Sequence, residues 1–300
     1  MPEEVSGGLS VGGAAAIGLG TACFGLDYGI SGPGRRTPDD EVARIIEAAF
    51  AEGVRYFDTA PAYGDAEELL GRLLPHGEGE RVVTKTPGGT PTAREVRDSL
   101  ERSLERLRRD SVHALLVHHA DALVAPGSDD VADALRAIRD EGLASRIGVS
   151  AYAPAQVDAI LDRGYELDAV QVPVNVFDRR FSDSGHLARL AGLGVEVHAR
   201  SAFLQGLLLM TPDAVPPSLR AAVAPLERFR TCAEAAGLTP AELALGHVRS
   251  VEGVAVVVCG VNDSAQLAEL LSIAPVDPML ADGLGVDDLD VVDPSRWELC

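Results

Sequence analysis

The sequence predicts an α/β fold: one (β/α)8 (TIM) barrel domain over residues 1–300, with a C-terminal loop over the barrel mouth. Three observations lead there. Short apolar stretches alternate with amphipathic ones, a glycine follows several of the amphipathic stretches, and the apolar stretches end in polar residues at nearly even spacing. Strands that alternate with helices pair in parallel. Eight such units close a barrel whose C-terminal strand ends converge on one face.

Taken in order, the first strand ends near Leu19. Thr37-Pro38-Asp39-Asp40 then sets a capping threonine before a proline at the first helical position, with acids in the first turn. The amphipathic run Ala43–Glu52 meets Gly53 and the strand Val54–Asp58, and Arg81–Lys85 is the third strand. Thr92-x-x-Glu95 fits a capping box, followed by the apolar stripe Val96, Leu100, Leu104 and Leu107 of a core-facing helix. The fourth strand ends near His118. Three further helix–glycine–strand units follow: Val131–Glu141, Gly142 and Ile147–Ser150; Val157–Arg163, Gly164 and Ala169–Gln171; Leu187–Leu193, Gly194 and Val195–Arg200. A glycine just past a helix supplies the left-handed residue that turns the chain back. Thr239-Pro240-x-Glu242 is a second capping box, and the eighth strand ends near Gly260. The intervals between the middle strand ends, about 21–33 residues, match the ~30 of a βαβ unit. The longer one from Arg200 to Gly260 leaves room for an extra helix and loop. A doubly wound dinucleotide fold would need a tighter glycine motif than Gly18-x-Gly20-x-x-x-x-Gly25 after the first strand.

Composition narrows the function. A hydrophobic content of 46% is ample for a large core, and a net charge of −20 with pI near 4.6 argues against nucleic-acid and anionic-membrane partners. The cysteines Cys23, Cys232, Cys259 and Cys300 form no CxxC pair, so free thiols in a reducing compartment are expected. The start Met1-Pro2-Glu3-Glu4 lacks the basic region of a signal peptide, and Gly12–Ile17 is too short and glycine-rich to span a bilayer. A single cytoplasmic domain is the expectation; oligomeric state is open.

One of the 26 Lys and Arg residues is a lysine: Lys85, at the end of a strand. Lysine and arginine are not interchangeable where a compact point charge must fit a tight pocket, so Lys85 is expected to function there. The ends of strands two to four deliver Asp58, Lys85 and His118, and the loop after strand two delivers Tyr63. Together these suit proton transfer to a carbonyl oxygen. A phenol is a weak acid, titrating near ~10 in isolation, and an ammonium beside it favours the phenolate. Asp58 can hold the ammonium, and His118 can donate to the carbonyl and orient it.

The chain here resembles a known family. Phe57-Asp58-Thr59-Ala60-Pro61-Ala62-Tyr63-Gly64 followed by Glu68-Leu69-Leu70-Gly71 is similar to the signature of the aldo-keto reductases. Val83-Thr84-Lys85, Leu115-Leu116-Val117-His118, Gly18-Leu19-Gly20-Thr21 and Ile147-Gly148-Val149-Ser150 resemble further motifs, so the likeness runs from about Ile17 to about Leu271. It implies a metal-free reductase of small-molecule carbonyls that uses NADP(H) or NAD(H), with Asp58, Tyr63, Lys85 and His118 catalytic and Tyr63 as the acid. It also implies that Thr21 and Ala22 line the cofactor site and that Ser150 and Gln171 hold the nicotinamide carboxamide. Ser201 and Gly206 would approach the pyrophosphate, and Gly260, Val261 and Asn262 would serve the adenosine half. Three positions depart from the pattern. Ala151 stands where the family commonly has asparagine, Arg200 replaces the aromatic residue that stacks on the nicotinamide, and Gln266 replaces an arginine that meets the 2′-phosphate. Arg200 can still stack on a flat ring, and Gln266 leaves the choice of nucleotide open.

Simpler and rival readings stand beside these. Neighbours on a strand point to opposite faces, so only one of His118 and His119 is expected to face the barrel, and the register selects His118. No carboxylate or cysteine spacing supports a zinc site with His113. His76, His186 and His247 read as surface or packing residues, Cys259 as core, and Asp121 with Pro126-Gly127 as loop structure. Gly32–Arg36 reads as a mobile loop on the substrate side, and the loops Asp27–Thr37, Ala120–Asp129 and Leu284–Cys300 as the setters of specificity. A barrel lyase using Lys85 as a Schiff-base amine, or a nucleotide-binding homologue without turnover, are the alternatives.

Overall fold

A computed structural model describes residues 13–30 and 36–297. Eight parallel strands close a barrel in sequence order: β1 Ala16–Gly20, β2 Tyr56–Asp58, β3 Arg81–Lys85, β4 Val112–Val117, β5 Ala144–Ser150, β6 Ala169–Pro173, β7 Glu196–Arg200 and β8 Val256–Gly260. β8 returns to pair with β1. The helices between them are α1 Asp39–Ala51, α2 Ala66–Leu73, α3 Ala93–Leu107, α4 Ser128–Asp140, α5 Pro154–Asp162, α6 His186–Gly192, α7 Val223–Ala235, α8 Pro240–Ser250 and α9 Ser264–Ser272. α7 is the extra helix in the long interval before β8.

Local signals account for most of the boundaries. Gly53, Gly142, Gly164 and Gly194 all adopt left-handed φ, between 75° and 83°, just past their helices. Thr92 and Thr239 each complete a capping box, with Glu95 and Glu242. Thr37 does not cap α1. Its amide donates to Cys23 O (2.9 Å) and its side chain is buried, while Pro38 O receives Glu41 N and Val42 N and so starts the helix. The tertiary contact with the segment after β1 outweighs the local capping preference.

Residues between the strands and the helix layer form the main apolar core, including the α3 stripe. Period-two alternation sorts β3 into two faces. Val83 joins Ala114, Leu116 and Ala169 in a separate small cluster, whereas Val82 belongs to the main core and Thr84 bonds Glu67 on α2 (2.7 Å). Lys85, two residues beyond Val83, is thereby set on the same inner face. A third cluster joins Val176, Phe177, Leu204, Leu207 and α7 to Ala281, Leu284, Val291 and Val292. The C-terminal segment is docked there, with Val286 N on Phe177 O at 3.0 Å.

Candidate active site

At the C-terminal end of the strands lies a cavity of about 530 Å³. The four expected catalytic side chains meet in it. Lys85 is 2% exposed and Asp58 6%. Lys85 Nζ donates to both Asp58 oxygens (2.8 and 2.9 Å) and to Thr59 O (3.0 Å), and lies 5.0 Å from the centre of the Tyr63 ring. Burial alone would lower the lysine's pKa, but Asp58 and Tyr63 outweigh it and hold the ammonium above its ordinary value. Lys85 is therefore a fixed cation rather than a free amine. Glu67, buried below Thr84 and paired with Arg106 Nη2 (2.6 Å), ties β3 to α2 and α3 behind it.

Backbone contact places Tyr63. Its carbonyl receives Ala66 N at 3.1 Å and lies against Gly25, where a Cβ would fall 1.8 Å from that oxygen. Only glycine at position 25 lets the two loops approach so closely. His118 meets Tyr63 edge to face at 6.4 Å, and its amide donates to Thr86 Oγ1 (3.1 Å). Burial, then the charges of Lys85 and His119, push the His118 imidazole down to about 4. It is neutral at pH 7 and can still donate a hydrogen bond.

His119 also lines the cavity, contrary to the alternation expected of it. β4 ends at Val117, so neither histidine is on a strand. Their rings lie 5.1 Å apart, and His119 Nδ1 accepts from Gly89 N at 2.9 Å. His113 lies elsewhere, bonded to Glu196. Among the described residues no cluster of metal-binding side chains is found.

The remaining expected residues line the same cavity: Thr21, Ala22, Ser150, Gln171, Arg200, Ser201, Gly206, Gly260, Val261, Asn262 and Gln266. β5–β6 register sets Ser150 beside Gln171. Gln171 Nε2 donates to Asp58 Oδ2 at 2.7 Å, so this glutamine also holds the carboxylate that holds Lys85. Arg200 stacks on a ring of the protein itself, with its guanidinium carbon 4.0 Å from the centre of the Tyr152 ring and Nη2 on Ala151 O at 3.4 Å. Ala151, the expected asparagine position, is buried in the main core. Three of the four non-glycine residues with left-handed φ among the described residues, Ser201, Leu204 and Gln205, lie in the loop after β7 and lead to Gly206 at 97°. Such strain gathers at ligand-binding segments.

Tyr28, Tyr152, Phe203, Gln205 and Glu269 line the cavity without having been singled out from the sequence. They stand in no motif, and contacts such as that of Ile30 N with Gln205 O (3.0 Å) join the segments after β1 and β7. Arg36 is bound to Asp39 and Asp65 (2.7 Å each), and residues 31–35 of the expected substrate loop lie outside the described residues. Of the expected C-terminal cover, no described residue beyond Leu270 lines the cavity.

The cavity lining runs from Lys85 and His118 at the ends of β3 and β4 to Gln266 and Glu269 on α9. A Cβ built at Gly260 would meet nothing closer than Gly20 O at 3.8 Å, so the absent side chain leaves room along that wall. Among the described residues no helix is long and apolar enough to cross a membrane.

Comparison with known proteins agrees with the barrel fold. An aldo-keto reductase from Bacillus subtilis, YhdN, is 29% identical over 185 residues, covering 57% of this chain and 53% of that protein. The chain thus spans about half the length of that relative. L-galactose dehydrogenase from Arabidopsis thaliana is 27% identical over 301 residues, covering 93% and 89%. 6-Dehydroglucose reductase from Novosphingobium aromaticivorans is 28% identical over 252 residues, covering 78% and 80%. In the holo form of an aldo-keto reductase from Bacillus halodurans the fold recurs with TM-score 0.75 at 19% identity, covering 95% of this chain and 96% of that one. The profile of the Aldo/keto reductase family matches residues 16–279. With the barrel and this match in agreement, the chain belongs to the aldo/keto reductase family.

Proposed function

We propose that this protein reduces an aldehyde or ketone to the alcohol, and catalyses the reverse oxidation, with NAD(P)(H). The observation that carries this reading is the convergence of Tyr63 and His118 around the buried Asp58–Lys85 pair at the wall of a cavity that continues to β8. When bound, the reduced nicotinamide supplies a hydride to the carbonyl carbon. Every other task falls to side chains. Neutral His118 donates a hydrogen bond that orients the carbonyl oxygen. Tyr63 gives its hydroxyl proton to that oxygen as negative charge develops there, and the phenolate left behind is stabilised by the Lys85 ammonium. Asp58, held by Gln171, keeps that ammonium charged and in place. A Schiff-base lyase would need Lys85 as a free amine, which the Asp58 pair opposes.

Ser150 and Gln171 are the side chains to hold the nicotinamide carboxamide. Ser201 and Gly206 would meet the pyrophosphate, and Gly260–Asn262 with Gln266 the adenosine half. Thr21 and Ala22 complete the wall, and the free face of Arg200 is available to stack on the ring. For the substrate side, the polar groups of Tyr28, Tyr152 and His119 suit a hydroxylated carbonyl compound. Two relatives, by their names, act on sugars or sugar derivatives.

The deciding experiment is calorimetric titration of the folded protein with reduced dinucleotide, followed by nucleotide consumption against a panel of aldehydes and ketones. Micromolar binding with carbonyl-dependent consumption is the expected result. A folded protein that binds no dinucleotide sinks the reductase reading.

A further inference from the structure

This inference rests on the reductase reading above and concerns the substrate. The permanent cations that line the cavity are Lys85 and Arg200, at the ends of β3 and β7. They differ in what neutralises them. Lys85 Nζ holds both oxygens of Asp58 (2.8 and 2.9 Å), so that pair offers a ligand no net charge. Arg200 has no carboxylate partner among the described residues. Its two hydrogen bonds, both 3.4 Å, run to uncharged oxygens, Ala151 O and Ser201 Oγ. Besides Asp58, the carboxylate that lines the cavity is Glu269, away on α9. With Lys85 cancelled by Asp58 and His118 neutral, the reacting centre keeps the positive charge of Arg200.

Arg200 is also held in place. Its guanidinium carbon lies 4.0 Å from the centre of the Tyr152 ring, a stack that orders the side chain before any ligand arrives. Ala151 and Tyr152 follow β5, whereas Arg200 ends β7. The side chain therefore leans back across β6 to β5, which pairs with β4, and His118 stands just past the end of β4. It leans away from β8 and α9, along which the rest of a dinucleotide would run. Burial is the first cause that keeps His118 neutral, and the charge of Arg200 adds to it, as expected of a cation near the reacting centre.

A guanidinium carries five N–H groups in a planar fork that matches the two oxygens of a carboxylate. Two of them make the long bonds to Ala151 O and Ser201 Oγ, and the other three have no acceptor among the described residues. Stacking occupies the faces of the group and leaves this N–H edge in its plane. A neutral substrate leaves the cation as it stands, whereas an anionic one pairs with it in a wall partly withdrawn from water. The charge also limits the kind of anion. One guanidinium balances a carboxylate, but a phosphate monoester carries about −1.5 to −2 at neutral pH and calls for a second cation. The second cation of the lining, Lys85, is already bound to Asp58.

We propose that Arg200, ordered by Tyr152, binds a carboxylate of the substrate, so that the preferred substrates are aldehydes or ketones that carry a carboxylate. The test pairs acids with neutral counterparts: 4-carboxybenzaldehyde with 4-(hydroxymethyl)benzaldehyde, and D-glucuronate with D-glucose. For each, kcat/KM is measured at saturating reduced dinucleotide on the full-length protein and on Arg200→Gln. Circular dichroism verifies folding, and calorimetry gives the dinucleotide affinity of both proteins. Wild-type protein is expected to prefer the acid of each pair by about tenfold or more, the worth of a charge-assisted pair. Arg200→Gln should lower the acid-to-neutral ratio by about the same factor. The ratio cancels any change in dinucleotide binding, which both substrates share. A wild type that binds dinucleotide but shows no acid preference, or reduces neither acid, overturns the proposal and leaves the reductase reading intact. An acid preference that persists in Arg200→Gln assigns the anion to other residues and overturns it as well. Lost dinucleotide affinity with an unchanged ratio gives Arg200 to a dinucleotide phosphate instead, and likewise overturns it. No dinucleotide binding by the wild type removes the reductase reading, and this proposal with it.

Discussion

The two ends of the barrel each bury a carboxylate among cationic or protonatable partners, and only one of them opens on the cavity. At the C-terminal end Asp58 receives Lys85 and Gln171, and Tyr63 and His118 stand beside the pair. At the N-terminal end Glu196, 2% exposed, takes His113 and His198 on Oε1 (2.9 and 2.7 Å), with Tyr56 Oη 3.3 Å and Arg146 Nε 3.5 Å from Oε2. Burial would raise the Glu196 pKa, but the two histidines outweigh it and hold the carboxyl far below its usual range. None of the Glu196 group lines the cavity. Both ends also leave a histidine nitrogen without a partner, Nδ1 of His118 and of His198. Neither a buried ion cluster nor an unpartnered atom therefore marks the site. What distinguishes it is a proton donor beside a fixed charge, on a wall that a ligand can reach.

The contrast breaks most readily at Tyr63. Tyr63→Phe should lower turnover by about 10²–10⁴-fold, with dinucleotide affinity and thermal midpoint close to wild type. Substantial residual turnover in steady-state assays would remove Tyr63 from the acid role. Next come paired changes at the two ends. Asp58→Asn strands a buried ammonium and should cost about 3–5 kcal/mol in denaturant unfolding, together with most of the turnover. Glu196→Gln should likewise destabilise, yet leave turnover per folded molecule unchanged; a matching loss of turnover would erase the distinction between the ends. Because the folded Glu196 carboxyl is depressed, its contribution is present above the unfolded value near ~4.3 and is lost as pH falls through the folded value. Wild-type stability should fall in acid more steeply than that of Glu196→Gln.

Gly25→Ala probes placement of Tyr63 without touching its chemistry. The added methyl must push the Tyr63 carbonyl away, at about 1–3 kcal/mol for overpacking, and turnover should drop more than nucleotide affinity. Unchanged kinetics would show that Tyr63 tolerates the shift. The smallest effect concerns charge. An NMR titration of His118 should give a midpoint of about 4, against ~6.5 for an exposed histidine. This folded value is depressed, so the associated stability is present above ~6.5 and declines as pH falls toward 4. A midpoint near 6.5 would mean that the imidazole is not enclosed by Lys85 and its neighbours.

Much of the molecule was legible from local pattern. Helix-ending glycines, capping boxes and strand ends depend on a few adjacent residues, and their periodicity located the barrel and the inward-facing Lys85. Asp58, Tyr63, Lys85 and His118 were legible because each stands at or just past a strand end, where the barrel gathers side chains onto one face. Tertiary structure alone decided the rest. Gln171 serves Asp58 across 113 residues of chain, Arg200 spends one face on Tyr152, and Glu41 on α1 reaches the start of α9. Thr37 gave up its cap to a contact with Cys23, and His119 escaped strand alternation because β4 ends one residue before His118. The physical reason is shared. Hydrogen bonds within a turn or helix are set by residues a few positions apart, whereas the partners of a buried charge are set by which distant segments the closed barrel brings within 3 Å.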